Sequence, residues 1–218
     1  MSTFSWKETI CAVCDGVSTV QVINSTNEFG SPDLDLRPAP MRRSTMPFWV
    51  QECPHCGYVA PRIDIPPAFD REFLTSPAYL DTDGLVLENK LTRRFYRQYL
   101  CAMETGAPVT AFHALLHAAW CCDDDGSADL AVRFRSRAAE LMDERNKDFT
   151  GGDRETYQVL RADLLRRSRQ FDRLIREYGE FPCDNEIHAK IIAFQLKKAA
   201  IEDDKCYTVA YVVDHGTD

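Results

Sequence analysis

Apolar residues change their spacing once along this chain. In residues 17–23 they alternate with polar ones, and from Leu85 onward they recur every three or four positions. Alternation is the period of a half-buried strand, and a three-to-four step is that of a helix with one buried face. Residues 17–23 therefore predict a strand, preceded by a short polar lead over 5–13, and residues 46–51 predict a second. Between them, residues 24–45 form a long loop whose Asp33, Asp35 and Arg37 stand among buriable leucines, so it is expected to pack on something. Residues 61–84, with prolines at 61, 66, 67 and 77, exclude a long helix and read as a surface connector. Ser76-Pro77 opens one short helical turn within it.

The helical part divides at its breakers. Leu91, Phe95, Tyr99 and Met103 share one stripe, which ends at Gly106 and Pro108. Phe112, Leu115, Leu116, Ala119 and Trp120 mark the next helix, stopping at 123–126. Ser127 caps a third helix carrying Leu130, Phe134, Ala138 and Leu141. Gly151 and Gly152 break the chain, and Asp153 caps a fourth with Tyr157, Leu160 and Leu164. Phe171, Leu174, Ile175 and Tyr178 follow a polar turn near Ser168. Pro182 and Asp184 open a helix with Ile187, Ile191, Phe194 and Leu196. The tail over 207–213 fits either a strand or a short helix capped by Thr208. Short turns make neighbouring helices antiparallel, which predicts a bundle or solenoid. Residues 164–175 have the shape of a tetratricopeptide turn, without a strict 34-residue period.

Two Cys-x-x-Cys pairs supply the chemistry. Cys11 and Cys14 bracket Ala-Val, with Asp15-Gly16 as the following turn, and Cys53 and Cys56 bracket Pro-His, with Gly57-Tyr58 after them. Four thiolates in this spacing are the set that tetrahedral zinc prefers, with His55 the one residue inside a knuckle able to replace a sulfur. The expected layout is mainly α with a small β zinc ribbon. A rubredoxin-like or zinc-ribbon-like module over 1–65 is followed by a proline-rich connector over 66–84. An antiparallel, tetratricopeptide-like helical domain over 85–218 completes it.

Composition narrows the setting. Nine cysteines in 218 residues fall below the density of a disulfide scaffold, and Cys101, Cys121, Cys122, Cys183 and Cys206 show no framework. The start carries no basic-then-apolar leader and no stretch is long and apolar enough to span a bilayer, so the expectation is a soluble, cytoplasmic protein in a reducing compartment. A net charge of -8 argues against a protein that coats nucleic acid.

The first Cys-x-x-Cys, the Asp33-to-Pro38 loop, the run from Trp49 through Cys53-Pro54-His55-Cys56-Gly57-Tyr58 to Ala60, and helices containing Ala119-Trp120 resemble a bacterial family of unknown function. Its members pair an N-terminal zinc-ribbon-like region with a tetratricopeptide-like helical region. The resemblance implies a cytosolic protein of this two-part layout and carries no catalytic residues with it. The first knuckle departs from the pattern in lacking a proline.

Three functions compete. The leading one is a non-enzymatic zinc-binding adaptor or scaffold with one structural ion, whose helical domain binds a protein or peptide. The second is nucleic-acid contact through the ribbon, supported by Arg37, Arg42 and Arg43. The third is a metal-dependent enzyme with a second site at His113, His117 and Cys121, which fall on one side of a helix but lack a glutamate between the histidines to act as base. Arg166, Arg169, Arg173 and Arg176 form a stripe that reads as a solvated face balanced by Asp163, Asp172 and Glu177, or else as a docking strip for an acidic partner or a nucleic-acid backbone.

Overall fold

The computed structural model describes residues 1–80, 85–149 and 154–215. The expected breaker Gly151-Gly152 and its cap Asp153 lie outside them. The chain is mainly helical, with two small antiparallel strand pairs near its N-terminus. It forms two compact units, and their boundaries are not those expected from the connector. The first comprises Met1–Glu28 and Met41–Gly126; the second comprises Phe29–Pro40 and Ser127–Asp218.

In the first unit, β1 (Thr3–Ile10) and β2 (Val17–Ser25) form a hairpin running from Ile10 opposite Val17 out to Thr3 opposite Ser25. The stretch expected to be a polar lead is thus a strand. Its alternation was hidden because Glu8 interrupts the apolar side and because that side faces solvent, with Trp6 70% and Ile10 56% exposed. The expected strand over 46–51 is a 3-10 helix, Arg43–Phe48, followed by a two-residue strand β3 (Gln51–Glu52). Pro47 lacks the N–H a ladder needs and fixes φ near helical values, so the backbone turns instead of extending. Strand β3 pairs with β4 (Val59–Ala60).

The connector is not a surface crossing. It holds a 3-10 helix, Arg71–Thr75, and the expected short turn α1 (Pro77–Leu80), and it buries Ile63, Leu74 and Tyr79 against Cys11, Cys53, Tyr58 and Cys101. Helix α2 (Lys90–Glu104) starts under Asn89, whose Oδ1 accepts from the Leu91 and Thr92 amides at 2.8 and 3.2 Å. Gly106, at φ 66°, turns the chain into α3 (Pro108–Asp125), which opens on Pro108 and is closed by left-handed Gly126. Helix α3 is apolar nearly all round, and its buried residues from Ala111 to Cys122 make it the central helix of this unit.

The second unit contains α4 (Ala128–Glu144), a 3-10 turn (Asn146–Phe149), α5 (Arg154–Arg167), α6 (Phe171–Tyr178), α7 (Glu186–Ala199) and α8 (Val209–His215). The tail is therefore helical, and the Thr208 hydroxyl accepts from the Tyr211 amide as a cap. Helix α5 packs on α4, α6 and α7, and every residue from Val159 to Arg167 is buried. The loop over 33–37 belongs to this unit. Asp35 is fully buried and accepts from Arg135 at 3.2 Å and Arg167 at 2.7 Å, while the Leu34 amide donates to the Tyr207 carbonyl. The loop was expected to pack on something, and through Asp35 it packs on α4 and α5.

The arginine stripe divides likewise. Arg166 is wholly buried and donates to Asp163, Gln195 and the carbonyls of Asp203 and Lys205, which pins the turn between α7 and α8. Arg169 pairs with Asp204, and Arg173 with Asp143 and Glu177. Arg169 and Arg176, with side chains 52% and 70% exposed, fit a solvated face. The row thus spans the end of α5, the turn after it and α6, and only its first member is part of the interior.

Candidate metal centre

The four knuckle cysteines come together inside the first unit. Their sulfurs all lie within 4.8 Å of one another, with Cys11 to Cys56 at 3.7 Å and Cys14 to Cys53 at 3.6 Å. They are positioned to bind a metal ion. A tetrahedron of sulfurs about 2.3 Å from a central zinc has edges of about 3.8 Å, so the closer pairs already stand near ligand spacing.

The local backbone makes each pair bite. The Asp15 amide donates to the Cys11 carbonyl and the Cys11 amide to the Gly16 carbonyl; in the other knuckle Gly57 donates to Cys53 and Cys53 to Tyr58. The two turns are the same object twice. Each needs a left-handed residue just after its second cysteine, supplied by Asp15 at φ 57° and Gly57 at φ 75°. Gly16 is required for a different reason: a Cβ there would stand 2.3 Å from the ring of His55 and 3.2 Å from the Cys14 sulfur. His55 is exposed, and its Nε2 meets the Val17 carbonyl at 3.0 Å, so it ties one knuckle to the other from outside the sulfur cluster.

The surroundings fix the cluster in place. The Tyr79 hydroxyl donates to the Gly57 carbonyl at 2.6 Å, and the Ala12 amide to the Ile63 carbonyl at 2.9 Å. Beside Cys53, the Glu52 carboxylate takes Arg94 and Arg97 of α2 at 3.0 and 2.9 Å. Without an ion, burial pushes the Cys11 and Cys56 thiols up. Burial acts on Cys14 as well, but hydrogen bonds from the Gly16 amide and the neighbouring thiols bring it down to about 7.

The second candidate does not assemble. Among the described residues the four knuckle cysteines are the one group of three or more metal-ligating side chains with converging atoms, and His113, His117 and Cys121 form none. His117 lies among the rings of Trp49, Phe95 and Trp120 at 5.0–5.1 Å between centroids, so it is a packing residue. Burial, with a smaller contribution from His113, holds its pKa down to about 3, and burial lowers His113 as well. Cys121 and Cys122 are core residues at the end of α3.

Of the arginines that would face a nucleic acid, Arg37 is buried and Arg42 pairs with Glu28 at 3.3 Å. No described helix is long and apolar enough to cross a membrane. Gly16 is legible in sequence as part of the turn after the first knuckle, though its closeness to His55 is not. The supports Glu52 and Tyr79 have no signature of their own in sequence, and only chain proximity to Cys53 hints at Glu52. No family model, curated protein or solved structure matches this chain, so the family resemblance rests on its motif residues alone.

Proposed function

We propose that the chain is a non-enzymatic adaptor that carries one structural zinc ion at Cys11, Cys14, Cys53 and Cys56. The observation behind this reading is the closed sulfur cluster: four thiolates at near-tetrahedral spacing fill the coordination of zinc and leave no position for a water to be activated. The ion then fixes the zinc-ribbon-like knuckles to the rest of the first unit. The function falls to binding surfaces, with the helices of the second unit serving as a tetratricopeptide-like scaffold for a protein or peptide partner.

The test is elemental analysis of protein purified without added metal, for the wild type and Cys53→Ser. One zinc per chain in the wild type and none in the variant is the expected result. Structural zinc contributes on the order of 10 kcal/mol to the folding of small modules, so the variant should also lose hydrogen-exchange protection over the knuckles. A second ion that survives in the variant would sink the reading and return attention to an enzyme.

A further inference from the structure

A pocket of about 290 Å³ opens in the first unit directly beside the second knuckle. Its walls include Tyr58, Pro66, Pro67 and Phe69, and helix α2 contributes Gln98 and Ala102. Tyr58 and Phe69 meet edge to face at 5.9 Å, which gives the pocket an aromatic corner next to two proline rings. No charged side chain lines it, so a phosphate, a carboxylate or an ammonium group would lose its hydration there without gaining a counter-charge. A neutral, largely apolar group suits it.

Gln98, Thr105 and Thr110 bring polar side chains to this lining, and the Thr105 hydroxyl is already spent on the Ala102 carbonyl. Gln98 is 7% exposed, and its Oε1 is buried without a hydrogen-bond partner. An unmet buried acceptor is rare in a folded chain and asks for a donor. Gln98 is part of the pocket wall, and the terminal torsion of a glutamine side chain is soft, so its amide can reorient when a donor enters. The volume lies at the lower end of ligand sites, enough for one ring system and too small for an extended cofactor.

We propose that this pocket binds a flat aromatic group carrying a single N–H donor, an indole, presented as a tryptophan by a partner polypeptide. The ring fills the corner between Tyr58, Phe69 and the prolines, and its N–H donates to Gln98 Oε1. The polypeptide origin rests on the adaptor reading, to which it adds a contact on the first unit; the indole site itself does not. Because Tyr58 follows Gly57 in the chain, the metal centre also sets one wall of the pocket.

Ligand-observed NMR titration of the zinc-loaded full chain tests this with indole, 1-methylindole and the capped tripeptide Gly-Trp-Gly. Indole and the tripeptide should saturate, with 1-methylindole about tenfold weaker because it cannot satisfy the acceptor. Gln98→Leu should bring the two indoles to equal affinity, and Ala102→Phe, which fills the pocket, should abolish binding of both with zinc content unchanged. If Gln98→Leu does not fold, the two indoles compared on the wild type still decide. Absence of saturation by indole, as for a pocket that holds only water, or equal affinity for both indoles on the wild type, would overturn the site. Binding of indole but not of the tripeptide would overturn the polypeptide origin while leaving the site, and the zinc measurement, untouched.

Discussion

Each of the two units secures an irregular N-terminal segment, and they do so by opposite chemistry. The first gathers four soft sulfurs whose mutual hydrogen bonds are weak and whose positions suit a shared cation. The second seats Asp35 between Arg135 and Arg167, charges that attract each other directly and need nothing from outside the chain. The difference teaches where each unit is conditional. The sulfur clasp depends on metal supply and thiol state, whereas the buried carboxylate depends on its own partners being present, since a buried charge without a counter-charge is costly.

Chelation is the strongest way to break this symmetry. A strong zinc chelator should strip the first unit's knuckles of hydrogen-exchange protection while the amides around Asp35 keep theirs; simultaneous loss in both would erase the contrast. Next in size is Asp35→Ala, which removes the carboxylate shared by two buried guanidinium groups and should destabilise the second unit by about 3–5 kcal/mol in denaturant titration, with zinc stoichiometry unchanged.

Acid sharpens the comparison further. His117 is held neutral in the folded first unit, with its pKa depressed to about 3, while in the unfolded chain it titrates near 6.5. As pH falls below about 6.5 the unfolded chain takes up a proton that the folded chain refuses. Stability present above that pH is therefore lost on acidification, by up to about 1.4 kcal/mol per pH unit until about pH 3. His117→Leu should flatten this part of the profile, and an unchanged slope would show that thiolate protonation at the metal accounts for all of it.

The smallest effects separate the two knuckles from each other. Asp15→Gly relieves a left-handed residue that glycine tolerates and should stabilise by about 1 kcal/mol, whereas Gly57→Ala should cost a similar amount in thermal denaturation. Equal responses of both turns to these exchanges would mean that Asp15 is not strained.

What could be read in the chain depended on how local its cause is. The knuckles, most helices and the turn at Pro77 arise from residues within a few positions of one another, and they stand where the spacing placed them. The hairpin strand β1 escaped because alternation signals a buried face, and here the apolar side of Phe4, Trp6 and Ile10 is turned outward. Arg166 escaped for the converse reason. A periodic row of charges ordinarily faces water, but this guanidinium finds acceptors on Asp163, Gln195 and two carbonyls of a distant turn. Asp35 could be singled out as noteworthy, yet nothing near it in sequence announces partners 100 and 132 residues away. Gln98 looks like any polar residue of a helix until its neighbours are known.

The placement of residues 29–40 in the second unit has a consequence for how the chain is made. Asp35 leaves the ribosome with the first third of the protein, and Arg135 and Arg167 are added 100 and 132 residues later. At roughly 5–20 residues per second, the carboxylate waits on the order of ten seconds for its seat. The flanking segments belong to the first unit, whose last residue, Gly126, is also translated before either arginine. During that interval the loop is the one piece of the emerging chain that must stay open, and its proline-rich, charged composition suits it to remain hydrated rather than to collapse early onto the wrong unit.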